Sequence, residues 1–171
     1  MPACVRAYTR PPMWANFFIA AASASAALAG LVFVALSVNI SRIIGAEHLP
    51  SRAGAAIGML MLILVCSMAA LIPQGSTALG IETILFSFCG WHLQIVSARS
   101  GFAVRAKWNR PAWESVLNAV LGQTQVVPFA IGGALLLAGH PSGLGWIAGG
   151  CIGVFLASAL AAWVLLVEIL R

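Results

Sequence analysis

The chain has 171 residues, of which 61% are hydrophobic and only 8% are charged. Soluble domains carry about a quarter charged residues, so this composition excludes an ordinary cytosolic enzyme or a secreted disulfide scaffold. The net charge is +5, but the basic residues fall between apolar runs, which is typical of membrane orientation and argues against nucleic-acid binding. The composition therefore predicts a membrane protein whose main partner is the lipid bilayer.

Five apolar segments are long enough to cross a bilayer, whose core of about 30 Å requires roughly 20 residues of helix. Short uncharged connectors follow the second and the fourth segment, which indicates antiparallel helical hairpins. We therefore predict an all-α fold, a polytopic transmembrane helical bundle that forms a single domain over residues 1–171. The five predicted helices cover residues 17–40, 53–72, 79–98, 116–138 and 146–170.

The first segment has two interpretations. Arg6 and Arg10 precede it, and the small residues 22–26 have the composition of a signal-peptide cleavage site. However, the apolar run continues to Ile40, well past that site. The continuation favours a spanning helix, and a cleaved signal peptide is the alternative.

The predicted connector between the third and fourth helices covers residues 99–115 and is rich in basic residues. With Phe102 and Trp108, these residues are compatible with a short amphipathic helix on anionic lipid. An ordinary basic connector is the favoured interpretation. Seven of the basic residues fall on this same side of the predicted topology, and these are Arg42, Arg52, Arg99, Arg105, Lys107, Arg110 and Arg171. Because basic loops remain in the cytoplasm, we predict an outside N-terminus and a cytoplasmic C-terminus.

Small residues recur four positions apart in three predicted helices. This spacing places them on one helix face, where they let two backbones approach closely. We expect packing within the chain for the first two helices, whereas for the fifth helix a homo-oligomer is equally compatible. The candidate packing residues are Ala22, Ala26 and Gly30, then Gly54 and Gly58, and finally Gly149, Gly153, Ala157 and Ala161.

Polar side chains inside the spans are the candidates for a functional site, because they are unfavourable in lipid and usually face protein or water. Pro128 is predicted to kink the fourth helix and to free the Thr124 carbonyl. These side chains either line a polar cavity in the cytoplasmic half or only form hydrogen bonds between helices, and the second interpretation is favoured. The candidate cavity residues are Asn39, His92, Gln94, Gln123, Thr124, Gln125 and Glu168.

Motifs for catalysis are absent from the sequence, which contains neither H-E-x-x-H nor G-x-S-x-G. Cys66, Cys89 and Cys151 lie in apolar segments without a C-x-x-C pair, so they are predicted to fill the core. Cys89 and His92 share a helix face, but two ligands do not make a metal site. We therefore predict neither enzymatic activity nor a cofactor or metal.

Three stretches resemble a family of small, uncharacterised bacterial multi-pass membrane proteins. They are residues 24–40, and within them especially residues 30–39, with the sequence GLVFVALSVN, then residues 72–74, with the sequence IPQ, and residues 163–168, with the sequence WVLLVE. The resemblance implies the cytoplasmic membrane of a bacterium and supplies no activity. We therefore expect a structural or accessory subunit that packs against other membrane proteins or itself. The alternative is a small channel or transporter with a polar pathway in the cytoplasmic half of the bundle.

Overall fold

The protein is a bundle of five α-helices in the computed structural model, which describes residues 12–38, 40, 49–108 and 112–170. In residues 12–13, 49, 104–108, 112, 114–115, 117–118 and 164–170 only the backbone is described. Each helix contains a segment long and apolar enough to cross a membrane, which confirms the predicted all-α transmembrane bundle. The helices are α1 (Pro12–Val38), α2 (Leu49–Leu71), α3 (Ser76–Trp108), α4 (Ala112–Leu137) and α5 (Gly143–Leu170).

Helix α2 lies at the centre of the bundle, where it packs against α1, α3 and α5. Its apolar span is 56% buried, whereas that of α1 is only 22% buried. Met59, Leu60 and Ile63 of α2 are completely enclosed, together with Phe18 of α1 and Phe129 of α4. These side chains fill the middle of the bundle, and the outer face of α1 is left for lipid.

Helix α3 is longer than the sequence predicted. The apolar pattern placed its end at residue 98 and a connector over residues 99–115, but the helix continues to Trp108 and α4 already begins at Ala112. Residues 99–108 include alanine, arginine and lysine, which favour helix in water as well as in lipid. The described part of this helix ends at Trp108, and residues 109–111 lie outside the described residues. The predicted long connector is therefore wrong, since most of it is helical.

The turn between α4 and α5 has a defined helix-terminating geometry. Gly139 has a φ of 79°, and its N–H donates to the Leu136 carbonyl at 3.1 Å. The N–H of His140 donates to the Leu135 carbonyl at 2.8 Å. These two bonds form a Schellman motif, in which glycine is favoured because the left-handed conformation is unstrained without a Cβ. The motif reverses the chain within a few residues and sets α5 antiparallel to α4.

Candidate functional site

Helices α3, α4 and α5 meet through glycines. A Cβ added at Gly80 of α3 would lie 2.9 Å from the carbonyl oxygen of Gly133 in α4. A Cβ added at Gly132 would lie 2.8 Å from the carbonyl oxygen of Gly143 in α5. Two adjacent glycines thus let α4 contact a different neighbour on each side. These four glycines were not predicted as packing residues from the sequence, although two adjacent glycines within an apolar helix are a recognisable signal.

The predicted small-residue faces of α1 and α2 are mostly turned away from the bundle. A Cβ added at Gly30 or at Gly54 would meet nothing within 4 Å, so the expected packing within the chain does not occur at these two positions. Gly58 differs, because its Cα lies against the side chain of Leu93 in α3. The first-helix prediction fails at Ala26 and Gly30 because α1 turns a neighbouring face inward, on which Ser25 and Ala29 are buried. Ala22, the third residue of the predicted set, is half-buried.

The predicted stripe on α5 also lies beside the packed face. Gly149 and Gly153 are exposed, and a Cβ added at either would meet open space. Packing within the chain uses the next face of the helix, where Gly150 lies against the ring of Phe129, 2.8 Å from an added Cβ. Ala157 and Ala161, at the other end of the stripe, are half-buried.

An open groove lies beside the outward glycines, between α4 and α5. It has a volume of about 410 Å³ and a mostly apolar lining, formed by Pro128, Ser142, Gly145, Trp146 and Gly149. The absence of side chains on two of these residues makes room for the groove. Together Gly145, Gly149 and Gly153 lie four residues apart, on one side of the helix. We call these three residues the α5 glycine face.

The candidate cavity residues separate into two groups. Gln94, Gln123 and Gln125 are half-buried, whereas His92 and Thr124 are exposed. The Thr124 hydroxyl donates to the Leu121 carbonyl of its own helix at 3.0 Å. Asn39 and the side chain of Glu168 lie outside the described residues. The described part of the predicted set therefore does not converge on one cavity.

The half-buried glutamines mark a contact between α3 and α4. The amide of Gln94 lies against Gly122, with its Oε1 atom 2.7 Å from the position of an added Cβ. Beside it, the buried Oε1 atom of Gln123 has no hydrogen-bond partner among the described residues. A buried carbonyl without a donor is unfavourable by about 1–3 kcal/mol. Among the described members of the predicted set, this atom is a buried carbonyl oxygen that is free to accept a hydrogen bond.

A second polar contact, at the opposite end of the bundle, was not predicted from the sequence. The Nε2 atom of Gln74 donates to Glu82 Oε2 at 2.7 Å and to the Ala69 carbonyl at 3.0 Å. The first bond satisfies a carboxylate near the start of α3, and the second satisfies a carbonyl in the last turn of α2. The contact thus holds the α2–α3 hairpin closed.

The cysteines have different environments. Cys66 and Cys151 belong to the buried core, whereas Cys89 is exposed. Among the described residues, no group of three or more His, Cys, Asp or Glu side chains is placed to hold a metal ion. The prediction of core-filling cysteines therefore holds for Cys66 and Cys151 but not for Cys89.

The fold and its contacts define a class: a multi-pass membrane protein of five helices, packed through glycines. Comparisons of the chain with family models, with curated proteins and with solved structures find no match. The resemblance to the small bacterial membrane proteins therefore stays a prediction.

Proposed function

We propose that the protein is a structural or accessory membrane subunit that packs against another membrane protein or against a second copy of itself. The observation that carries this proposal is the α5 glycine face, where Gly149 and Gly153 are exposed and meet open space. Inside the bundle, glycines such as Gly132 and Gly143 are found where two backbones touch. The outward glycines offer a further helix the same close approach.

Close approach matters more in lipid than in water. Apolar side chains gain little by leaving lipid for a protein interface, so helix association depends on close van der Waals packing between small residues. The exposed side chains of Leu156 and Leu160 continue the outward side of α5 and provide apolar edges around a docked helix. These features support a binding surface rather than a catalytic centre.

We further propose that the protein resides in the cytoplasmic membrane of a bacterium, with its N-terminus outside. In the described structure, the hydroxyls of Ser51 and Ser100 are hydrogen-bonded, so the neighbouring Arg52 and Arg99 lie at the same end of the bundle. The opposite end carries Glu82 and His140. This unequal distribution of charge supports a cytoplasmic location for the basic end.

Crosslinking tests the proposed interface. A photoreactive leucine analogue at Leu156, beside the α5 glycine face, should give protein adducts in native membranes, whereas the same analogue at the exposed Leu31 of α1 should give lipid adducts only. Adducts of the purified, reconstituted protein would identify a second copy as the partner. Gly153→Leu should abolish the protein adducts, and Gly54→Leu, at an equally open glycine of α2, should preserve them. Lipid adducts alone at Leu156 would contradict the proposal.

A channel or transporter is the second candidate, and the unpartnered Oε1 atom of Gln123 is the observation that favours it. In a pathway between α3 and α4, a carbonyl oxygen of this kind would accept a hydrogen bond from a donor or contact a cation. Ion flux into proteoliposomes should then fall in the Gln123→Leu variant with its thermal stability unchanged. An unmodified protein that conducts no ion over a range of pH would leave the accessory role as the better proposal.

A further inference from the structure

Two contacts along α3 are separated by about the thickness of the hydrocarbon core of a bilayer. At one level, Gly80 touches Gly133 near the outer end of α4. At the other, Ser100 is hydrogen-bonded to Ser51, close to the start of α2. A rise of about 1.5 Å per residue places these two residues roughly 30 Å apart along α3, which is the thickness of a hydrocarbon core.

Two exposed indoles of α5 have a similar spacing. Trp146 and Trp163 are 47% and 68% exposed, and the helical rise separates them by about 26 Å. Trp14 of α1 approaches Gly145, 4.0 Å from an added Cβ, and so lies at the level of Trp146. Indoles prefer the headgroup region at both surfaces of a bilayer, although Trp91, 44% exposed, lies midway along α3. The spacing on α5 is compatible with a basic-side limit of the hydrocarbon core near the level of Ser100.

Helix α3 continues beyond the basic-side limit. It runs from Ser100 to Trp108, so its end lies about 12 Å past the level of Ser100 at 1.5 Å per residue. Each headgroup layer is only about 5–8 Å thick. We call residues 101–108 and 112–116 the α3–α4 tip, of which the α3 part crosses the headgroup layer.

The exposed apolar side chains of the tip lie near the limit of the hydrocarbon core. Phe102, Trp113 and Val116 are exposed, Trp113 by 64%. Phe102 follows Ser100 by two residues. Trp113 and Val116 precede Gly133, which contacts Gly80, by 20 and 17 residues, so the helical rise places them near the level of Ser100 as well. Apolar and indole side chains are stable there but unfavourable in water.

Basic residues follow further out along α3. The helical rise places Arg105 and Lys107 about 8 and 10 Å beyond Ser100, at the depth of lipid phosphates. Arg99 is exposed at the level of Ser100 itself. With Glu114 at the start of α4 as the acidic residue, these four positions carry a net charge of +2.

We propose that the α3–α4 tip binds the headgroups of anionic phospholipids, with Arg99, Arg105 and Lys107 attracting the phosphates and Trp113 anchoring the hairpin at the membrane surface. Basic residues next to a membrane attract anionic lipids, whose headgroups are concentrated at this depth. The tip has apolar side chains near the limit of the hydrocarbon core and basic residues further from it, which is the order of acyl chains and phosphates in a lipid. An acidic protein segment would bind the basic residues but would leave Trp113 in water. This role does not depend on the proposed subunit function.

Lipid binding by the full-length protein tests the proposal. In native mass spectrometry at low salt, the unmodified protein should bind phosphatidylglycerol more tightly than phosphatidylcholine. The double variant Arg105→Gln/Lys107→Gln should weaken phosphatidylglycerol binding by roughly 25-fold, or about fivefold for each basic residue removed. The charge-conserving double variant Arg105→Lys/Lys107→Arg should retain the binding, which separates charge from folding defects.

The matched control removes the same charge elsewhere in the sequence. Arg6→Gln/Arg10→Gln should leave the tightest phosphatidylglycerol site intact. Equal affinity of the unmodified protein for both lipids, or equal loss in the two glutamine variants, would overturn the assignment. Tighter binding of a glutamate-rich peptide than of phosphatidylglycerol, lost with Arg105 and Lys107, would also overturn it and would identify an acidic protein segment as the occupant.

Discussion

The glycines inside the bundle and those on its outer surface differ in what surrounds them. A Cβ at Gly132 would lie 2.8 Å from the backbone oxygen of Gly143, and a Cβ at Gly143 would lie 2.5 Å from the backbone oxygen of Gly132. At Gly149 and Gly153 nothing lies within 4 Å of an added Cβ. One pair therefore determines how α4 and α5 fit together, whereas the other leaves a surface that the chain itself does not use.

Glycine therefore affects the folding of the bundle at one pair of positions and its association with a partner at the other pair. A backbone oxygen cannot move away from a new side chain without displacing its whole helix, so substitutions at the inward pair act on the bundle. A side chain added to the outward pair projects into lipid and leaves the bundle unchanged. Substitutions of equal size at the two pairs should therefore have different effects on stability.

The largest effect on folding is expected for Gly132→Leu. The new side chain would have to separate α4 from α5 at their closest approach, and we expect a loss of more than about 3 kcal/mol in the free energy of unfolding. Helix content measured by circular dichroism during denaturation in detergent checks this value. The matched control is Gly149→Leu, which should unfold like the original protein. Similar losses in both variants would contradict the distinction between inward and outward glycines.

A smaller effect is expected for Gly139→Ala, because this glycine is required for its conformation and not for space. Its φ is 79°, and a Cβ there would meet nothing within 4 Å. Left-handed backbone disfavours alanine by about 1–2 kcal/mol, so the free energy of unfolding should fall by this amount. Gly75→Ala, in the turn between α2 and α3, is the control, since its surroundings are equally open. Equal stability of the two variants would remove the conformational explanation.

The positions of the helices could be predicted because bilayer thickness limits the length of an apolar run. The extension of α3 could not be predicted, because charged residues mark the end of an apolar run but not the end of a helix, and Arg105 and Lys107 are compatible with helical backbone. The charge pattern identified the boundary of the membrane rather than the end of the helix.

The candidate site was predictable only in part, for a different physical reason. A four-residue spacing identifies a face of small residues, such as Gly149 and Gly153, but does not reveal whether another part of the chain covers it. The contact between Gly80 and Gly133 joins distant segments, so no spacing within one helix could reveal it. For the same reason, the polar residues could be recognised as unusual, while the outward direction of His92 required the packed structure.

A still smaller effect is expected for Gly90→Ala in α3. A Cβ there would lie 3.2 Å from Leu62 Cδ2 and 3.6 Å from Met59 Sδ. Both neighbours are ends of flexible side chains, so they can move by a few tenths of an ångström. The favourable helix propensity of alanine over glycine, worth up to about 1 kcal/mol, opposes this crowding. The free energy of unfolding should therefore change by less than about 1 kcal/mol in chemical denaturation, and a larger loss would show that this contact is as rigid as that of Gly132.

The smallest effect on folding, with the clearest consequence for association, is expected for Gly153→Leu. Because the added side chain projects from an exposed position into open space, the free energy of unfolding should change by less than about 0.5 kcal/mol. A docked partner helix would no longer reach the backbone of α5, so sedimentation of the reconstituted complex or crosslinking from Leu156 should show the loss of association. If Gly153→Leu destabilises the isolated chain as much as Gly132→Leu does, the outward glycines are required for folding of the bundle. If it changes neither stability nor association, the α5 glycine face is only a lipid-exposed surface, and the proposed interface must lie elsewhere on the protein.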